Sequence, residues 1–520
     1  MSRWALSLEQ WTVGAVIAAT CAAGVYWGTS AVGGSDSSCY ALQAQRFAAG
    51  QFQVVDPLVL SAPWPDGALT LAPAGHIPSP TLPGAAVPMC PVGVSLVMAP
   101  LLALGGPRAM FLVVPLFGAL LVVATWMVGA RFSPAVGLAS ALVTACSPAF
   151  LFQMFQPMSA VPAAALWLLA VAMATGAWRH GPVAAGLAAS GAILVRPNLL
   201  PLGIVIGVAL TLRPERSWRE RGSAAARYAA ACAPGCLAVA LVQQAFYGSP
   251  LQSGYGSLEA LFSWTHVVPN AQRYAGWMWQ THTPLWLLAL LAPLLLRGWL
   301  TLLLASLVAV NVAGYLPYTV FDDWWYLRFL LPAIPLVLVL MLAAIHTAVE
   351  RALSGALRGP AKVRTTFSRA TVAVTALVLA VLFVREARDR QAFDLARLES
   401  RFVRAGTYVA QRLPANAFIV TSWQSGSVRF YAGRPTLAWD GLDPAWLDRA
   451  VAFARAGGLE PYLLFERWEE RLFRERFATS PLGALDWPPA VEIASQVRIY
   501  RPYDRQRYRA GNAVPTEYAR

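Results

Sequence analysis

The sequence predicts a polytopic α-helical membrane protein with a C-terminal α/β domain. Three observations carry that expectation. The 520 residues are 57% hydrophobic and only 13% charged, about half the charge of an ordinary soluble domain. Long apolar runs recur from residue 11 to residue 385, as spanning helices require. The tail from 386 to 520 instead alternates short apolar strands with charged helical stretches, a pattern that suggests a mostly parallel sheet.

The first run, "WTVGAVIAATCAAGVYWGTSAV", follows an early Arg3. It is too long for a signal-peptide core and lacks a clean cleavage site. It is read as an uncleaved first span at 11–32, with the N-terminus cytoplasmic. The net charge is +14, almost all from arginine, with Lys362 the only lysine. No basic stripe is interleaved with stacking aromatics, so nucleic acid is not expected as a partner. The cations instead concentrate in two loops, 213–227 and 350–364, which the positive-inside rule places in the cytoplasm.

Further spans follow at 109–130, 134–152, 158–177, 182–195, 198–212, 226–246, 284–296, 299–318, 327–348 and 367–385. The segment 92–106 is short for a crossing, at about 15 residues. Counting it as a span would invert the charge rule, so it is read as re-entrant or interfacial. The expected total is about eleven crossings. On this topology the loops 33–91 and 247–283 and the tail 386–520 lie outside. The domains are then a membrane domain, 1–385, and an extracytoplasmic α/β domain, 386–520. The site of action is the cell (inner or plasma) membrane.

Of six cysteines, Cys21, Cys146, Cys232 and Cys236 fall in expected spans, where a free thiol is a small apolar filler. Cys39 and Cys90 bracket the first external loop. A disulfide there would close about 50 residues and be worth roughly 4 kcal/mol in the chain-entropy model; two separate thiols are the other reading.

Ionisable groups near a membrane boundary are costly, so each invites a functional reading. Asp36 in "GGSDSSCYALQAQRFAAGQ" follows the first span. It reads as a helix N-cap, as a general base toward a hydroxyl or amine, or as both. Arg196, Arg273 and Arg328 lie at the outer boundary. Guanidinium suits bidentate phosphate recognition; snorkelling, or pairing with Asp322 or Asp323, is the plainer alternative. Trp324 and Trp325, with "GWMWQTH" at 276–282, fit either sugar stacking or an interfacial aromatic belt. Tyr40, Asp322, Asp323 and His266 complete the candidates for sugar or acceptor contact. His266 and His282 lie in the same external loop, and without a carboxylate partner they make only a weak case for a metal site. No cofactor is assigned, with a divalent metal left open.

These features in this order resemble the membrane glycosyltransferases of the C-type fold (GT-C), especially bacterial relatives of protein O-mannosyltransferases and lipid A aminoarabinose transferases. The resemblance rests on the Asp36 segment, "PVGVSLVMAPLLALGG", "SPAFLFQMFQPMSAVPAAAL", "GLAASGAILVRPNLLPL", "WWYLRFLLPAIP" and, in the tail, "VRFYAGRP". It implies transfer of a sugar from a polyprenyl-phosphate or -pyrophosphate donor to an acceptor on the outer face. Asp36 would then act as base or organise the acceptor, and the arginines would stabilise the leaving phosphate. The required partners are membrane lipid, the lipid-linked sugar and an acceptor that is lipid, glycan or protein. One departure stands out. Ala160 occupies a position where the family often has an acid, which argues against a metal mechanism built there. A transporter or flippase is a second reading, although no internal repeat supports it. A degenerate relative acting as an envelope scaffold is a third.

Overall fold

A computed structural model of the chain describes residues 8–356 and 361–519. Arg3 and the centre of the second basic loop, 357–360, lie outside the described residues. The chain divides into two compact units. The first comprises Met1–Gly28, Phe111–Leu241 and Gly256–Leu395; the second comprises Thr29–Met110, Val242–Tyr255 and Ala396–Arg520. This differs from the division expected at 385/386, because the first external loop and the short helix after it group with the tail.

The first unit is built from apolar helices. Among the described residues, four helices are long and apolar enough to cross a membrane: Ala109–Gly129, Trp218–Tyr247, Ile334–Ser354 and Val363–Asp389. A fifth crossing is made if the pair Pro134–Cys146 and Pro148–Met154 counts as one span, bent by 58°. The bend has a local cause. Pro148 has no N–H to continue the ladder, and the Ser147 hydroxyl accepts from the Phe150 N–H to start the second helix. Six further apolar helices run only 10–17 residues, short of a full crossing. Length and composition therefore do not by themselves yield the eleven crossings expected. The first expected span, 11–32, is helical only over Leu8–Trp27. Ala160–Thr175 lies at the heart of this unit. Its Ala160, Ala163, Ala164 and Ala165 are wholly buried, and small residues of this kind let helices approach closely.

Among the described residues the second unit holds eight strands. β1 (His76–Pro78) and β2 (Ala86–Pro88) form an antiparallel pair. β3 (Ala417–Val420), β4 (Thr436–Leu437), β5 (Glu460–Glu466), β6 (Val491–Ile493), β7 (Val497–Tyr500) and β8 (Glu517–Ala519) form one sheet, in the order β4-β3-β5-β7-β6-β8. β3 pairs in parallel with β4 and β5, and β6 with β8, while β7 runs antiparallel to β5 and β6. The sheet is thus mixed, with three of its five pairings parallel, in line with the mostly parallel sheet expected from the sequence.

Both faces of this sheet are covered, so its central strands read as continuous apolar runs rather than alternating ones. Phe418, Val420, Leu463 and Phe465 point into one core, with Phe473 and Phe477; Ile419, Tyr462 and Leu464 point into the other, with Ala405 and Val409 of the Leu395–Arg412 helix. Trp64 and Leu71 of the 33–91 loop belong to the first core. The Ala438 N–H donates to the Thr70 carbonyl at 2.6 Å. That shared core is the physical reason the loop belongs with the tail.

Candidate functional site

In the second unit, Asp36 occupies the first turn of the Gly34–Ala48 helix. The N-cap is Gly33, which makes no side-chain cap, so Asp36 is not itself the cap considered from the sequence. A carboxylate in that turn is favoured by the helix dipole. Two glycines are needed there for different reasons. Gly34 has φ +61, a left-handed conformation that favours glycine. A side chain on Gly33 would strike the Phe402 ring and the Glu399 carboxylate.

Cys39 and Cys90 are joined by a disulfide. The Cys90 N–H also donates to Cys39 Sγ at 3.0 Å, which fixes the start of the Gly93–Gly105 helix against the Asp36 helix. Ser95 of that short helix donates to the Tyr40 carbonyl at 2.9 Å. Tyr40 is 3% exposed, so its ring packs inside the unit rather than facing an open surface.

Polar groups that sequence reading missed surround this helix. Arg429 donates to Asp56, to the Leu71 carbonyl and to Thr436 Oγ1 at 2.9–3.2 Å. The signal was present in "VRFYAGRP", where Arg429 lies between the buried Val428 and Phe430. Arg46 donates to the Ala86 carbonyl at 2.7 Å. His76 is buried; burial first, and the nearby Arg46 second, push its imidazole down to about 3, so it stays neutral. Glu466 accepts from Arg401, Gln424 and Trp468, while Glu469 accepts from the backbone N–H groups of Glu466 and Trp423. Burial pushes the Glu469 carboxyl up to about 7.

In the first unit the three expected arginines have different surroundings. Arg196 follows the Gly181–Val195 helix and is only 8% exposed. Its Nε donates to Ser159 Oγ at 3.0 Å and its Nη1 to the Arg328 carbonyl at 3.2 Å. Both partners are uncharged, and Arg196 forms no ion pair among the described residues. Arg273, on the Val267–His282 helix, pairs with Asp322, whose side chain is 85% exposed. The guanidinium of Arg328 lies over the rings of Tyr326 and Phe329, 5.0 and 5.4 Å from their centroids.

Arg328, Trp324 and Trp325 share one turn, Trp324–Phe329. Trp325 stacks on Phe152, and its carbonyl accepts from Gln153. Trp324 meets Phe152 edge-on, and the Arg390 guanidinium lies 4.9 Å from its ring centroid. These tryptophans are braced by the protein itself. Asp323 is exposed at the start of the turn. His266 Nδ1 lies 3.2 Å from the Pro317 carbonyl. His282 is fully buried, between Ser147 and Thr281. The two histidines therefore sit at opposite ends of one helix. Among the described residues no group of three His, Cys, Asp or Glu side chains is placed to hold a metal ion. Ala160 is buried beside Ser159.

The architecture matches solved membrane transferases. The fold is that of the GT-C glycosyltransferases. The chain aligns with ArnT from Cupriavidus metallidurans bound to undecaprenyl phosphate at a TM-score of 0.54 and 13% identity, over 95% of this chain and 98% of that one. The apo form of the same enzyme gives 0.54 and 14% over the same shares. The Archaeoglobus fulgidus oligosaccharyltransferase tethered to an acceptor peptide gives 0.54 and 12%, over 91% of this chain and 71% of that one. No protein-family profile and no curated protein matches the sequence. At these identities the GT-C likeness is one of fold.

Proposed function

We propose that this GT-C chain transfers a sugar from a polyprenyl-phosphate-linked donor to an acceptor on the outer face of the membrane. The observation that carries the reading is Arg196. Its guanidinium is buried, donates to a hydroxyl and a carbonyl, and has no carboxylate partner among the described residues. Buried charges are ordinarily paired, and an anionic headgroup supplies the missing partner. The fold supports the same choice, since ArnT from C. metallidurans was crystallised with undecaprenyl phosphate.

In this reading an acceptor oxygen or nitrogen attacks the anomeric carbon of the donor sugar. The bond from that carbon to the phosphate oxygen breaks, and polyprenyl phosphate leaves with the electron pair. Asp36 takes the acceptor proton. Arg196, with Arg328, offsets the charge that gathers on the leaving phosphate. Arg273 joins them only by exchanging Asp322 for phosphate. The residues present do not make a metal site among the described residues, and no step is routed through one.

The test uses the purified full chain, a polyprenyl-phosphate sugar and candidate acceptors. Wild type should transfer sugar and Asp36→Asn should not, while retaining the lipid. Equal turnover in the variant removes Asp36 from the mechanism. Movement of intact lipid across the bilayer without release of sugar would point to a transporter instead.

A further inference from the structure

We propose that Trp423 and Trp468 form a platform for a pyranose ring of the acceptor, abutting the helix that carries Asp36. The word acceptor rests on the transferase reading; the platform itself rests on the following geometry, all within the second unit.

Both indoles are open to solvent, at 41% and 53% exposure. Their centroids are 6.1 Å apart and their planes stand at 78°, forming a corner with two accessible faces. Lone exposed aromatics need no explanation, but these two are held in place from beneath. The indole N–H of Trp468 donates to Glu466 Oε2 at 2.9 Å, and the backbone N–H of Trp423 donates to Glu469 Oε1 at 3.3 Å. The two glutamates are 5% and 1% exposed. Glu466 is itself fixed by its ion pair with Arg401, so the indole of Trp468 is held in one orientation, and Glu469 anchors the backbone at Trp423. Rings held this way lose little further freedom on binding.

The chemistry of the corner suits a sugar. The electron-rich face of an indole attracts the weakly positive C–H face of a pyranose. Glu399 and Asp440 stand nearby as acceptors for hydroxyl groups: Glu399 against Gly33, and Asp440 bonded to Ser422, the residue before Trp423. Position adds the link to chemistry. A β-carbon on Gly34 would lie 3.4 Å from the Trp423 ring, and Asp36 is two residues further along.

The experiment takes the full chain in a detergent without a sugar headgroup, presented to an array of bacterial and yeast surface oligosaccharides with no lipid donor present. Wild type should retain at least one glycan class. Trp423→Ala and Trp468→Ala should each lower that signal about tenfold. Trp423→Phe and Trp468→Phe, which keep an aromatic face and guard against misfolding, should keep most of it. No retained glycan, or equal retention by the alanine variants, overturns the platform. So does a clear drop, in Trp468→Phe relative to wild type, in the tryptophan fluorescence quenched by brominated phospholipid in vesicles, which would mark a membrane anchor. Because no donor is present, these outcomes are independent of whether Asp36→Asn still transfers sugar.

Discussion

Arg196 is tied to Ser159 by a 3.0 Å hydrogen bond from its Nε, which leaves a buried positive charge with a neutral anchor. Arg273, by contrast, spends its charge on a solvent-exposed aspartate. Two arginines that look alike in the sequence are thus in opposite electrostatic states.

That contrast predicts a split between the two positions. Arg196→Lys keeps the charge but cannot span Ser159 and the Arg328 carbonyl together. It should weaken retention of polyprenyl phosphate by about tenfold or more, the cost of one charged hydrogen bond. Arg273→Ala breaks only an exposed pair and should change stability by less than about 1 kcal/mol. Lipid-phosphate binding and thermal unfolding of the two variants in parallel check the split.

The Glu469 carboxyl predicts a pH dependence. Burial raises it from 4.5 to about 7, so the folded chain holds this proton more tightly than the unfolded chain. The stability this contributes is fully present below pH 4.5 and is lost as pH rises through about 7. Each pH unit inside that window costs about 1.4 kcal/mol. Glu469→Gln should flatten the decline in melting temperature between pH 5 and 7. A variant that declines as steeply as wild type would assign the slope to other groups.

Reduction should loosen the Asp36 region. The Cys39–Cys90 disulfide spans a sequence separation of 51, and opening a loop of that size costs roughly 4 kcal/mol in the chain-entropy model. Cys39→Ser with Cys90→Ser should make residues 49–89 more susceptible to limited proteolysis. The measurement is the rate of cleavage in that segment, with and without reductant for wild type.

Arg429 is the keystone between loop and tail. Removing it leaves Asp56 without its ion-pair partner and frees the Leu71 carbonyl from its guanidinium donor. Loss of one partner of a half-buried pair of this kind costs about 3 kcal/mol. Arg429→Ala should lower the unfolding temperature of the second unit, whereas Arg434→Ala, which removes donors to the Pro414 and Ala432 backbone carbonyls, should lower it less. Hydrogen exchange across residues 56–71 reads the difference.

Much of this molecule was legible in one dimension. Hydropathy marked the apolar helices and their approximate positions, because burial in lipid demands runs of apolar residues whatever the tertiary arrangement. The Ser147-Pro148 pair shows the limit of that signal. Hydropathy reads 134–152 as one span, but a missing N–H and a serine cap bend it by 58°. The tail's strands were visible as short apolar runs, and Arg196, Arg273 and Arg328 stood out by residue type.

Partnership was not legible. No local pattern says that Trp64 and Leu71 complete the core beneath Phe418 and Phe465, or that the first loop therefore joins the tail. Nothing in composition separates a guanidinium resting on Ser159 from one facing Asp322. Which segments avoid water follows from residue order alone, since it depends on each residue's own transfer free energy. Which charges are compensated, which carboxyl is raised by burial and which tryptophans are held in place follow from packing. Those properties depend on neighbours that the fold assembles, from two residues away for Trp468 and Glu466 to 132 for Arg196 and Arg328.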